Sequence, residues 1–141
     1  MEIIGVIPAR FNSTRLPGKP LRVINGKSML LRVCEQVEKS KLISKVIIAT
    51  DDDRIFQHMK SNNKSVIMTS EDIKSGTDRC WAAVRDIKCD IVVNIQGDEP
   101  LIEPKVIDST IQALLSSKDA VCATPIKKIN DILELQNENV V

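Results

Sequence analysis

Continuous apolar runs punctuate the chain at Ile3-Ile4-Gly5-Val6-Ile7, Val46-Ile47-Ile48-Ala49, Val66-Ile67-Met68 and Ile91-Val92-Val93-Asn94-Ile95. Apolarity without alternation is what strands covered on both faces require, as in a parallel sheet flanked by helices. Between the runs, apolar residues recur at helical spacing. After an Asn25-Gly26 turn, Ser28 caps a predicted helix from about Met29 to Lys39, with Met29, Leu30, Val33, Cys34 and Val37 on its packing face. Ile55, Phe56 and Met59 mark a second helix behind Asp51-Asp52-Asp53. A third is expected from near Thr77 to about Ile87, with Trp81, Val84 and Ile87 turned to the core. Pro104 opens a fourth that carries Val106, Ile107, Ile111, Leu114 and Leu115. The run ending at Ile95 is the expected central strand. Ala120 to Thr124 reads as a further strand, Asn130 or Asp131 as the cap of a short helix, and Val140-Val141 as the start of another strand.

Strand and helix in alternation predict an α/β fold: three α/β/α layers around a mostly parallel central sheet, in a single domain of 141 residues. Ligands of such folds bind beyond the carboxyl ends of the strands. The most polar, least periodic loops follow the first, third and fourth strands, so the candidate site lies there. No G-x-G-x-x-G occurs, which argues against the dinucleotide-binding version. Charge adds little, since 20 basic and 19 acidic residues leave a formal +1. That balance calls for neither nucleic acid nor an anionic membrane. Aromatics are limited to Phe11, Phe56 and Trp81, too few for a base-stacking platform. No apolar run approaches ~18 residues and no signal peptide precedes the first strand. Cys34, Cys80, Cys89 and Cys122 are therefore expected to be reduced, mostly buried thiols in a cytoplasmic protein. They and the sole histidine, His58, lack zinc-ligand spacing. His58 reads as a surface side chain.

The candidate chemistry begins in the loop from Ile7 to Leu21. It gathers Arg10, Arg15 and Lys19, the hydroxyls of Ser13 and Thr14, and Pro8, Pro17 and Pro20 around Gly18. Cations on one stiff loop repel each other unless an anion sits among them. The loop is either a solvated basic loop or a polyphosphate site, where Arg offers a planar fork and Lys a compact charge. Gly26-Lys27-Ser28 imitates the end of a phosphate-binding P-loop, but Leu21 stands where that motif needs Gly. Asp98, in Asn94-Ile95-Gln96-Gly97-Asp98-Glu99-Pro100, is either a turn or cap aspartate or a Mg²⁺ ligand, with Glu99 a weaker candidate. Asp51 to Asp53 are read as helix caps rather than a metal cluster. Taken with the cationic loop, Asp98 fits nucleotidyl transfer, in which phosphates lie between fixed cations and a carboxylate-held metal.

The wording of these segments adds to that reading. The loop from Pro8 to Leu21, Ser75-Gly76-Thr77-Asp78-Arg79 and Asn94 to Pro100 together resemble the 3-deoxy-manno-octulosonate (Kdo) cytidylyltransferase family, in order and in spacing. The resemblance runs through the whole chain and implies a Rossmann-like nucleotide-diphospho-sugar transferase fold. It implies transfer of CMP from CTP to the anomeric hydroxyl of Kdo, for lipopolysaccharide synthesis, in a homodimeric intact enzyme. Carried over residue by residue, Arg10, Arg15 and Lys19 act catalytically on the triphosphate with Ser13, and Ala9 lies against the nucleoside. Ser75, Gly76 and Arg79 help recognise cytosine, Gln96 meets the ribose or acceptor sugar, and Asp98 binds Mg²⁺. The other reading of Ser75 to Arg79 is a helix cap followed by a solvent-facing Arg79. The family pattern continues beyond Val141 into a sugar-binding, dimer-forming part with a second metal-binding aspartate. The chain is therefore expected to be the N-terminal half of such an enzyme. The alternatives are a CTP-binding fragment without turnover and a cytidylyltransferase for another acidic sugar, such as sialic acid.

Overall fold

Each apolar run forms a strand of one sheet in the computed structural model, which describes residues 1–12 and 16–129. The strands are β1 (Ile3–Ala9), β4 (Lys45–Thr50), β5 (Val66–Met68) and β6 (Ile91–Asn94). All pairings among them are parallel, in the order β5-β4-β1-β6. A small antiparallel hairpin, β2 (Val23–Ile24) and β3 (Lys27–Ser28), turns at Asn25 and Gly26, both at positive φ. Such turns match the twist of paired strands. The helices are α1 (Met29–Val37), α2 (Asp53–Ser61), α3 (Gly76–Val84) and α4 (Pro104–Ser116).

The side-chain period of two along β1 divides the core. Ile3, Ile7 and Ala9 face a larger cluster with residues of α1, α2 and α4, while Ile4 and Val6 face a smaller one with Cys80, Ala83 and Val84 of α3. The result is three layers, as expected. β1 carries buried residues on both faces, and its Gly5 is needed: a Cβ there would lie 2.9 Å from Ile43 Cδ1.

Helix starts follow local chemistry. Ser28 Oγ accepts from the Leu31 amide, Asp52 from that of Arg54 and Ser75 from that of Asp78, each satisfying a donor with no intrahelical partner. His58 has a partner after all, since its Nε2 lies 2.8 Å from Ser28 Oγ and ties α2 to the start of α1.

Several expectations are corrected. β1 and β4 are the inner strands, and β6 lies at the sheet edge among the described residues. Ile91 and Val93 pack against the larger cluster, whereas on the other face α3 covers β6 only in part, so Val92 stays 40% exposed. Trp81 is 63% exposed rather than in the core, because Cys80, Ala83 and Val84 form the inner face of α3. Val106 and Leu115 are likewise exposed, with Ile107 and Ile111 anchoring α4. Residues 120–124 form no strand and Val121 is in solvent. Cys34 and Cys80 are buried, whereas Cys89 is partly exposed and Cys122 exposed. The predicted helix at Asn130 or Asp131 and the strand at Val140 lie outside the described residues.

Candidate functional site

The chain leaves β1 through α1 toward β4, then returns through α3, on the opposite face, to reach β6 on the other side of β1. The loops after β1 and β6 therefore diverge, and the crevice between them is the topological switch point of the sheet. A cleft of about 480 Å³ opens there, lined by Pro8, Ala9, Arg10, Lys19, Gln96 and Asp98 among others. A larger cavity of about 600 Å³ lies between β6, α4 and residues 121–125 and is mostly apolar. Its lining includes Asp90 and Glu99 but no lysine or arginine, so the smaller cleft, with cations beside a carboxylate, is the candidate site.

Local geometry places the cations. The Gly18 amide donates to the Phe11 carbonyl at 2.9 Å, closing the loop on itself. Gly18 sits at φ 69°, the left-handed conformation that favours glycine, and a Cβ there would approach the Phe11 ring to 3.0 Å. A short 3-10 turn, Lys19–Leu21, starts immediately after it. Lys19 is thereby held above the cleft, where Nζ donates to Asp98 Oδ2 at 2.6 Å. Both side chains are partly solvated, so the pair adds little to stability, but it fixes the loops after β1 and β6 against each other.

Gly97 lets those loops approach, since a Cβ there would come within 3.0 Å of the Pro8 carbonyl oxygen. Gln96 is exposed, 3.4 Å from Asn94 Oδ1. Ala9 is buried at the carboxyl end of β1.

Arg10, half-buried, donates from Nη2 to the Ile73 carbonyl at 2.6 Å and so joins the loop after β5 to that after β1. It lines both the main cleft and a neighbouring polar cleft of about 280 Å³ formed with Phe11, Asn12, Asp51, Asp52, Glu71 and Lys74. Over the Phe11 ring, at 3.3 Å from its centroid, stacks Arg54, which also pairs with Asp52. The Arg54 side chain, with the local amides, holds the Asp52 carboxyl below its usual range despite some desolvation. Ser75 is the exposed N-cap of α3, and Gly76 packs against Pro8.

Three expected loops thus meet at one edge, along with Ala9, Arg10, Lys19, Ser75, Gly76, Gln96 and Asp98. Ser13 and Arg15 lie outside the described residues. Arg79 departs from the expectation of a solvent-facing side chain: it is 0% exposed and pairs with Asp51. Asp51, which sequence reasoning read with its neighbours as a helix cap, belongs to this group instead. Nothing in an Asp-Asp-Asp run distinguishes the residue that caps from the one that pairs.

A sequence model of the cytidylyltransferase family matches residues 4–141. The chain belongs to that family. It is 45% identical over 141 residues to the 3-deoxy-manno-octulosonate cytidylyltransferase of Bdellovibrio bacteriovorus, covering 100% of this chain and 57% of that one. It is 44% identical over 130 residues to the mitochondrial enzyme of the same name from Arabidopsis thaliana, covering 91% of this chain and 45% of that protein. The solved structure of a CMP:2-keto-3-deoxy-manno-octonic acid synthetase complexed with CTP superposes with a TM-score of 0.81 at 39% identity, over 84% of this chain and 49% of that one. The chain thus spans about half the length of the curated relatives it matches. A nucleotidyl transferase from Methanothermobacter, 18% identical with a TM-score of 0.67 over 79% of this chain and 57% of that one, shares the fold.

Proposed function

We propose that this chain binds CTP across the carboxyl edge of β1 and β6, as the nucleotide half of an enzyme that transfers CMP to Kdo for lipopolysaccharide synthesis. The observation that carries the reading is the meeting of Lys19 and Asp98 at 2.6 Å at the switch point of the sheet. Opposite charges from two loops there are what a metal-bound triphosphate needs. The names of the relatives, and the CTP in the solved neighbour, support the substrate assignment.

In the transfer, the anomeric oxygen of Kdo bonds to the α-phosphorus, the bond from that phosphorus to the bridging oxygen breaks, and pyrophosphate leaves with its electron pair. The hydroxyl proton passes to solvent. Lys19 neutralises phosphate charge, with Arg15 and Ser13 assigned to the same task by family resemblance. Arg10, anchored at one nitrogen by Ile73, offers its remaining donors to the nucleotide. Ala9 and Gly97 give the backbone close approach, Gln96 meets ribose or acceptor, and Ser75 and Gly76 border the base.

Asp98 suits Mg²⁺: a single half-exposed carboxylate at an open cleft fits an ion that keeps several waters and takes phosphate oxygens. No group of three or more metal-ligating side chains gathers anywhere among the described residues, at Asp98 included. Bound at Asp98, the ion supplies neutralisation of charge on the leaving pyrophosphate.

Calorimetric titration with CTP and Mg²⁺ tests the site. Lys19→Ala and Asp98→Asn are each expected to weaken binding by about tenfold or more, given ~1.5–3 kcal/mol for hydrogen bonds to charged groups. Unchanged affinity in both variants would sink the assignment. Because the chain spans about half of its relatives, a second reading is CTP binding without turnover. Pyrophosphate release with and without Kdo separates the two.

A further inference from the structure

The sole fully buried charged side chain among the described residues is Arg79, at the start of α3, and it does no work inside the cleft. Its Nη2 donates to Asp51 Oδ2 at 2.5 Å and to the Ile73 carbonyl at 3.2 Å. Nη1 donates to Thr69 Oγ1 at 2.5 Å and reaches the Ser70 carbonyl at 3.4 Å. The Thr69 hydroxyl in turn donates to the Thr50 carbonyl at 3.1 Å. The guanidinium therefore grips the whole loop after β5 from within and ties it to the end of β4.

Ile73 is the shared element. Its carbonyl accepts from Arg79 on the buried side and from Arg10, at 2.6 Å, on the cleft side. Arg10 is held by a carbonyl whose own position depends on Arg79. A guanidinium with no exposed surface cannot touch a ligand in an open cleft, whereas it can fix the backbone that a ligand-facing residue leans on. Nothing about folding the sheet requires this: burying a charge is costly, and an apolar side chain at the head of α3 would pack there without needing Asp51.

We propose that Arg79 and Asp51 are positioning residues which, by clamping residues 69–73, fix the Ile73 carbonyl and through it the Arg10 guanidinium for nucleotide binding. The inference rests on the nucleotide reading of the cleft and deepens it. Lysine cannot replace the arginine, because an ammonium is a single point and the acceptors here are spread across both nitrogens of a planar fork.

The test is a double-mutant cycle on the full chain. Arg79→Lys, Asp51→Asn and Arg10→Ala, singly and with each of the first two combined with the third, are titrated with CTP and Mg²⁺. Amide hydrogen exchange is followed on the same ligand-free samples. Arg79→Lys is expected to weaken CTP binding about tenfold, as loss of one hydrogen bond from a charged group does, and to speed exchange across residues 69–75 while β1 and β4 stay protected. In the Arg10→Ala background the same change is expected to add almost nothing. Multiplying losses, or unchanged exchange in the loop, would overturn the proposal. Asp51→Asn preserves size and one acceptor oxygen, so it decides the question if Arg79→Lys does not fold. If the wild-type chain fails to bind CTP while Lys19→Ala changes nothing, the nucleotide reading falls. Loop exchange alone then decides the clamp, faster exchange in the variants upholding it and unchanged exchange ending it.

Discussion

Asp108 fastens α4 to the loop between α1 and β4 with one carboxylate. It accepts from Ser40 Oγ at 2.5 Å and from the amides of Lys41 and Leu42 at 3.1 and 3.3 Å. Partial burial pushes its pKa up, but the Ser40 hydroxyl and the amides outweigh that and hold it below the usual carboxylate range. A lowered folded pKa means that the stabilisation is complete above the unfolded value of about 3.9 and disappears as pH falls below it, through the folded value. Asp108→Asn is expected to cost about 1–3 kcal/mol at neutral pH, read by urea denaturation, and the gap to wild type should close in acid. An equal gap at every pH would refute the assignment. The same scale shows where sequence reading reaches its limit. Ser28 was legible as a cap because capping is a local, one-turn interaction. The Asp51-Asp52-Asp53 run was legible as capping without showing that Asp52 is the cap, and Ser75 as a cap only in the alternative reading of its segment. The burial of Arg79 depends on Asp51 and Thr69, distant in sequence, and no local pattern announces it.

Elements were legible where apolar residues repeat and less so where they end. The inner face of α1 came through except for Leu31, since Met29, Leu30, Val33, Cys34 and Val37 are all buried as read and Leu31 is buried with them. The turn at Asn25-Gly26 was read, but its two-residue strands are too short to carry a period. For α3, the spacing put Trp81 inward. The buried apolar set is Cys80, Ala83 and Val84, small residues that let the helix lie close to the sheet, and a large indole would hold it away. The close packing of β1 gives a direct test. Gly5→Ala puts a methyl 2.9 Å from Ile43 Cδ1, 3.2 Å from Ile95 Cδ1 and 3.3 Å from Val37 Cγ1. All three belong to packed side chains, so the substitution is expected to destabilise by about 1–3 kcal/mol, measured by thermal or urea unfolding. A neutral result would mean that α1 and the loop before β4 give way more readily than a packed core does.

For the whole molecule, unbroken apolar strands alternating with amphipathic helices announced a parallel sheet between helices, and the family motifs marked the edge that carries the candidate site. Strand order was not legible, because apolarity reports cover on a strand's faces and says nothing of neighbours at its sides. That is why β6, as apolar in sequence as β1, was expected at the centre and lies at the rim. The position of β6 has a consequence for behaviour in solution. Its outer side has no hydrogen-bonded neighbour among the described residues, and Val92 is 40% exposed beside it. Unsatisfied main-chain donors and acceptors next to exposed valine make a template for aggregation, which proteins suppress by placing lysine on such edges. Light scattering from concentrated solutions should therefore grow with time, and Val92→Lys should slow that growth without altering CTP affinity.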